Sequence, residues 1–262
     1  MTRARRPAPL RVAVVGKGGS GKSLIAGTLA RLLARRGHRV LALDSDPLPG
    51  LAISIGIEVG DEAMLEGYAE RHESGEWRIV RDLKPVTVVR RTAREGPDGV
   101  LFLQFGKVDT PSLAPLMSSL QAFWGVTREL SSGPWTIVHD LPAGTRQAFS
   151  GWAGSADGFL IVVEPTQKSI LSAGRLAGVT QLAGQARLGL VANKVRSGSD
   201  PEMIADALPG VELVASVPFD PIAAAAERDG IAPIDHDPGS PGVRALETFA
   251  GQLESWLRKE AS

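Results

Sequence analysis

The sequence predicts an α/β chain built on a single doubly wound, mostly parallel sheet of seven to eight strands wrapped by helices. Three observations carry that expectation. Short β-branched runs alternate with stretches of helical period along the chain, as in strands joined by crossover helices. The 262 residues, set against about 150 for a typical domain, suit one large core better than two. Hydrophobic residues at 43% and charged ones at 22% are those of an ordinary globular chain, which sets aside disorder and fibrous repeats.

Arg11 to Val15 reads as the first strand. Residues 23–36 place Leu24, Ile25, Thr28, Leu29, Leu32 and Leu33 at helical spacing, and Gly37 stands where a helix-ending glycine belongs. Val40 to Leu43 is the second strand. Residues 58–99 are the least regular, with a short helix, charged strand-like pieces around 77–80 and 86–90, and a turn at Glu95 to Gly99; they read as an insertion or an edge hairpin. Five further strands are expected at 100–105, 135–139, 159–163, 188–192 and 211–215, with helices near 112–130, 167–184, 201–208 and 241–258. The last helix carries Val243, Leu246, Phe249, Leu253, Trp256 and Leu257 on one stripe. Its polar face holds as many acids as bases, so the stripe reads as a docking face rather than a membrane anchor. Residues 1–9 read as a flexible basic tail and 10–262 as the domain.

Charge and cysteine content narrow the function. The 29 basic residues cancel the 29 acidic ones, which leaves no field of one sign to gather nucleic acid or an anionic membrane. With no cysteine, the chain offers no disulfide, thiolate zinc or nickel site, iron–sulfur ligation or cysteine nucleophile. No apolar run approaches the ~20 residues that cross a bilayer. The opening MTRARRPAPLR leads into a strand-like run rather than a signal-peptide core, so a cytoplasmic protein is expected.

The chemistry-bearing motif follows the first strand. Gly16, Lys17, Gly18, Gly19, Ser20, Gly21, Lys22 and Ser23 fit G-x-x-x-x-G-K-[ST] between an apolar strand and a helix. Such a loop curls backbone N–H groups around a phosphate at the positive end of the helix dipole. Lys22 then reaches the β and γ phosphates, and the Ser23 hydroxyl ligates Mg²⁺. Two carboxylates, Asp44 and Asp46, end the second strand at the carboxyl edge of the sheet, where ligands of α/β proteins sit; a turn using aspartates before Pro47 is the alternative. Asp140 closes the apolar strand Trp135 to His139, and an acid at that edge suits holding the magnesium through a water. His139 points to the other side of its strand and reads as a packed or surface imidazole.

The K-G-G-x-G-K-S form of the loop resembles the deviant Walker A class of P-loop ATPases, the group of MinD, ParA, the nitrogenase iron protein and CooC. The resemblance implies a cytoplasmic, Mg-ATP-binding ATPase that forms a homodimer when ATP is bound. Lys17 would cross to the partner's phosphates and, with Lys22 and Asp46, serve hydrolysis. Within the family's D-x-D-P switch, Asp46 would orient the attacking water and Asp44 would stand near the magnesium. Gly144, in Asp140-Leu-Pro-Ala-Gly-Thr145, would let the second switch donate to the γ-phosphate, although Arg146 stands near where an acid is common. Asn193 resembles the family asparagine that bonds adenine, and Pro218 with Phe219 the loop closing over the purine; a buried strand-end asparagine and a plain strand-to-helix turn are the alternatives. Asn193-Lys-Val is followed by Arg196, so the guanine signature is absent and ATP is favoured over GTP.

The resemblance is nearest to CooC-like nickel-insertion ATPases, through Val163-Glu-Pro-Thr-Gln-Lys-Ser-Ile-Leu-Ser-Ala-Gly-Arg175. Gly106-Lys-Val108 is followed by Asp109 to Pro115 without that family's C-x-C pair, so no nickel, zinc or iron–sulfur site is expected. The expected role is an ATP-gated switch on a protein partner of unknown identity. A nucleotide-stabilised binding module with vestigial hydrolysis, or a ParA- or MinD-like DNA or membrane positioning factor using Arg3, Arg5, Arg6 and Arg11, is the alternative.

Overall fold

The computed structural model describes residues 7–46, 50–58, 65, 67–75, 77–80, 84–104, 113–130, 133–144, 156–183 and 186–259. The chain begins with β1 (Arg11–Gly16), α1 (Lys22–Arg35), β2 (Val40–Asp44) and α2 (Gly50–Ile55). A small module follows, formed by β3 (Ala69–Arg71), β4 (Trp77–Ile79), α3 (Pro85–Thr92), β5 (Arg94–Glu95) and a 3-10 turn at Pro97–Gly99. Next come β6 (Leu101–Gln104), α4 (Leu113–Glu129), β7 (Thr136–Asp140), β8 (Gly158–Val163) and α5 (Gln167–Ala183). The remainder is β9 (Arg187–Val195), α6 (Asp200–Ala207), β10 (Glu212–Pro218), α7 (Pro221–Asp229), α8 (Pro233–His236) and α9 (Pro241–Arg258).

Among the described residues, eight strands form one sheet in the order β10-β9-β8-β1-β7-β2-β6-β5. All neighbours are parallel except the edge pair β5 and β6. β3 and β4 pair antiparallel as a separate two-stranded sheet. The inner strands β2, β7 and β8 are buried along their whole length; β8 reads as an unbroken apolar run, whereas β2 ends in Asp44 and β7 carries Thr136, His139 and Asp140. Side chains alternate between two apolar layers. Ala13, Val15, Leu43 and Ile161 meet Phe123 of α4 and Leu176 of α5 on one face. Val12, Val14, Ala42 and Leu160 meet Leu29 of α1 and Phe249 of α9 on the other.

Gly37, at φ +90°, stops α1 with its N–H on the Ala34 carbonyl at 2.9 Å. The stripe of α9 is buried through Val243, Leu246, Phe249, Leu253 and Trp256, and its first turn is capped by Ser240 Oγ, which accepts from Val243 N–H at 3.4 Å. Residues 86–90, expected as a strand-like piece, are helical. Pro85 presets the first helical position of α3, and the adjacent Val88 and Val89 both bury where α3 meets α4 while Arg90 and Arg91 stay exposed. Packing there overrides β-branched propensity. The helices α2, α7 and α8 were absent from the sequence pattern. In α7 only Ala223 and Ala226 are buried, too small a stripe to register as a period. The eighth strand, β5, has two residues and exists through its pairing with β6. Among the described residues no helix is long and apolar enough to cross a membrane.

Candidate functional site

The carboxyl ends of β1, β7 and β2 form one edge, the position at which an open parallel sheet offers its crevice. Gly16 ends β1 at φ +156°, and a Cβ there would stand 2.7 Å from the Val162 carbonyl oxygen on β8. Glycine alone lets the loop leave so close to its neighbour strand. The loop then closes on itself, Ser20 N–H donating to Lys17 O at 3.1 Å. Gly21, at φ +92°, is pressed by Asn193, whose Nδ2 a Cβ would strike. With α1 starting at Lys22, the unpaired N–H groups of its first turn point into the loop, an anion site by backbone geometry. Lys22 is buried, Ser23 is half-buried, and Gly18 and Gly19 are exposed. Lys17 is half-buried and donates to the Gly18 carbonyl at 3.2 Å.

Asp44 and Asp140 lie side by side, paired in register across β2 and β7, and are 0% and 1% exposed. The Ser23 hydroxyl hydrogen bonds the Asp140 carboxylate, and Asp46 N–H donates to Asp44 Oδ1 at 2.9 Å. Burial pushes both carboxyls above the ordinary aspartate range. The neighbouring charges of Asp140 and Asp46 push Asp44 further up, while the Ser23 bond and the Lys22 charge pull Asp140 back. Asp44 Oδ2, Asp140 Oδ1 and Ser20 Oγ are buried and, among the described residues, accept or donate no hydrogen bond. Two adjacent buried carboxylates with unmatched oxygens form a site that a hard cation would neutralise.

His139 is buried on the opposite face of β7, with its ring edge-on to Phe123 at 6.0 Å between centroids and its Nε2 hydrogen bonded to Ser45 Oγ. Burial lowers its pKa to about 3. The imidazole is packed, as its place on the strand predicts.

Beside the loop lies a cavity of about 270 Å³, lined by Gly21, Asn193, Pro218, Phe219, Val243 and Leu246 among others. Asn193 is buried and its Nδ2 donates to Ser20 O at 2.7 Å, so the side chain braces the loop while facing the cavity. Phe219 is 37% exposed, with the Arg196 guanidinium 3.7 Å from its ring centroid. Ala143 stands 3.7 Å from the position a Cβ would take on Gly18, and the exposed Gly144 follows it at φ +111°. The fold thus brings the phosphate loop, the three carboxylates, Asn193, Pro218, Phe219 and the turn before Gly144 to one edge. Arg3, Arg5, Arg6, Pro47, Gly106 to Ser112, Thr145 and Arg146 lie outside the described residues.

Sequence reasoning passed over Lys194 and Glu164. Lys194 takes φ +57°, donates to the Gly19 carbonyl at 2.7 Å and pairs with Glu164 at 2.6 Å, so two consecutive residues of β9 grip two consecutive loop carbonyls. The signals were a lysine next to Asn193 at a strand end and the glutamate that follows Val163.

The chain matches the family described as the CobQ/CobB/MinD/ParA nucleotide binding domain over residues 12–234. It is 28% identical over 237 residues to an uncharacterized ATP-binding protein of Methanocaldococcus jannaschii, covering 80% of this chain and 86% of that one. It is likewise 28% identical over 239 residues to the carbon monoxide dehydrogenase accessory protein CooC of Rhodospirillum rubrum, covering 87% and 91%. Its fold is similar to the septum site-determining protein MinD of Pyrococcus horikoshii, solved in complex with Mg-ADP, with a TM-score of 0.73 at 21% identity over 96% of this chain and 98% of that one.

Proposed function

The chain belongs to the CobQ/CobB/MinD/ParA nucleotide-binding family, and from that premise we propose that it binds Mg-ATP, dimerises in the ATP state and hydrolyses ATP as a switch acting on a protein partner. The observation that carries this reading is the pair Asp44 and Asp140, buried, adjacent and with unmatched oxygens, next to Ser23 at the mouth of the loop. Oxygen donors of this kind fit magnesium. Among the described residues no group of three or more His, Asp or Glu side chains could hold a metal by itself. The donor set therefore suits an ion that completes its shell with phosphate oxygens and water.

In this reading the loop N–H groups and Lys22 hold the phosphates, with Ser23 and Asp140 on the metal side and Asp44 behind them. Magnesium, when bound, neutralises charge on the β and γ phosphate oxygens. Asp46 orients the water that attacks the γ-phosphorus as the bond to ADP breaks, and Gly144 N–H steadies the γ-phosphate. Asn193 offers its carboxamide oxygen to the adenine amino group, and Pro218 with Phe219 covers the ring. Lys17 leaves its own Gly18 carbonyl and reaches the phosphates of the second copy, the part an arginine finger takes elsewhere. Lys22→Ala is expected to weaken MgATP binding at least about tenfold, which is about 1.4 kcal/mol. Titration calorimetry showing unchanged affinity would remove the loop from nucleotide binding.

A further inference from the structure

Asp46 stands at the end of a turn held by three hydrogen bonds. Its own N–H donates to Asp44 Oδ1 at 2.9 Å, the Ser45 N–H donates to the Asp140 carbonyl at 3.0 Å, and Ser45 Oγ hydrogen bonds His139 Nε2. The first two are local turn and sheet-edge contacts that any residue between two aspartates would keep. The third depends on side chains alone.

His139 is in register with Leu43 on β2 and Ala13 on β1. That face of the sheet otherwise presents apolar side chains, Ala13, Val15, Leu43 and Ile161 among them, against Phe123 of α4. An imidazole there carries a desolvation penalty that a valine would not. Its ring is also turned edge-on to Phe123 of α4, which fixes its orientation. Ser45 is 0% exposed and His139 4%, so their hydrogen bond is closed off from water and keeps its direction. Ser23 opens α1, which packs on the other face of the sheet, so among the described residues the imidazole reaches toward the site through Ser45.

We propose that His139 is a positioning residue for hydrolysis: by anchoring the Ser45 hydroxyl it sets the peptide plane that carries Asp46, and with it the direction of the Asp46 carboxylate. The proposal rests on the assignment of Asp46 to the attacking water made above. It differs from a packing role in what it moves, since packing alone changes stability and leaves the rate of each folded, ATP-bound molecule untouched.

Single-turnover hydrolysis of γ-labelled ATP with protein in excess, alongside calorimetric ATP affinity, tests it on His139→Leu, His139→Gln, Ser45→Ala, His139→Leu with Ser45→Ala, and Asp46→Ala. His139→Leu and Ser45→Ala should each slow hydrolysis about tenfold with ATP affinity held within about twofold. The double variant should be no slower than either single one, because both remove the same bond. His139→Gln, whose amide reaches Ser45, should recover most of the rate. If His139→Leu fails to fold, Ser45→Ala carries the same expectation with the imidazole left in place. Full turnover by Ser45→Ala beside an inactive Asp46→Ala overturns the positioning role alone, as do multiplicative losses in the double variant or a loss confined to ATP affinity. Asp46→Ala as active as the wild type, or no hydrolysis by the wild type, overturns the assignment of Asp46 and the proposal together.

Discussion

Asp140 shows what a single residue inherits from its place. The buried strand Thr136–Asp140 leaves its last side chain at the sheet edge, beside Asp44 and bonded to Ser23. In the absence of a cation the two carboxylates repel at short range in a site with little water. Asp140→Asn relieves that repulsion and removes one oxygen charge from the metal side. The expected outcome is ATP binding that no longer strengthens when magnesium is added, a loss of about tenfold or more in the magnesium-dependent part, read by calorimetry with and without the ion. The oxygen-rich donor set also leads to the expectation that purified protein carries magnesium only together with nucleotide and no stoichiometric nickel or zinc. Elemental analysis after dialysis checks it.

At the scale of elements, two buried charges pin helices that the sequence pattern left unmarked. Arg31 of α1 is 3% exposed at its side chain and forks onto Asp235 of α8 with two bonds of 2.8 Å, while also meeting Asp98 and the Ile55 carbonyl of α2 at 2.7 Å. Removing it strands Asp235 and leaves Asp98 to Arg35 alone at 2.9 Å, but the two carboxylates' side chains are 40% and 24% exposed and can recover water. Arg31→Met is therefore expected to cost about 1–3 kcal/mol in urea unfolding, short of a fully buried pair. Burial alone would raise Asp98, yet the hydrogen bonds from Arg31 and Arg35 outweigh it and the carboxyl titrates below its ordinary value. A lowered folded value means the contribution is complete above about pH 4, the unfolded value, and is lost as pH falls through the folded one. Asp98→Asn should flatten the fall in stability below that pH. Asp220 ties α7 to α9, accepting from Ile222 N–H at 2.9 Å and Gly242 N–H at 3.0 Å. Asp220→Ala should cost about 1–3 kcal/mol, seen as a lowered unfolding midpoint.

At the scale of the whole molecule, the test is assembly. Asp46→Ala should still bind MgATP, turn it over far more slowly and accumulate as a dimer, since the ATP state then persists. Adding Lys17→Ala should return the protein to monomer without abolishing nucleotide binding, because within one chain, among the described residues, Lys17 donates to the Gly18 carbonyl. Mass measured in solution at saturating MgATP decides. A monomeric Asp46→Ala, or an ATP-induced dimer that survives Lys17→Ala, removes the reading of an ATP-state dimer joined through Lys17.

By itself the sequence determined the sheet, the phosphate loop and the acids that face it. Buried parallel strands must be continuous apolar runs, a loop that wraps a phosphate needs glycine at the positions of Gly16 and Gly21, and strand-end acids fall at one edge whenever the strands are parallel. These are local constraints, legible residue by residue. Only the tertiary structure decided the helical fate of 86–90, the grip of Asn193 and Lys194 on the loop carbonyls, and the bond from His139 to Ser45. The helix depends on packing against α4, and the loop contacts join residues more than 170 positions apart. His139 and Ser45 stand 94 positions apart and meet because β7 lies beside β2, a neighbourhood that strand order alone establishes.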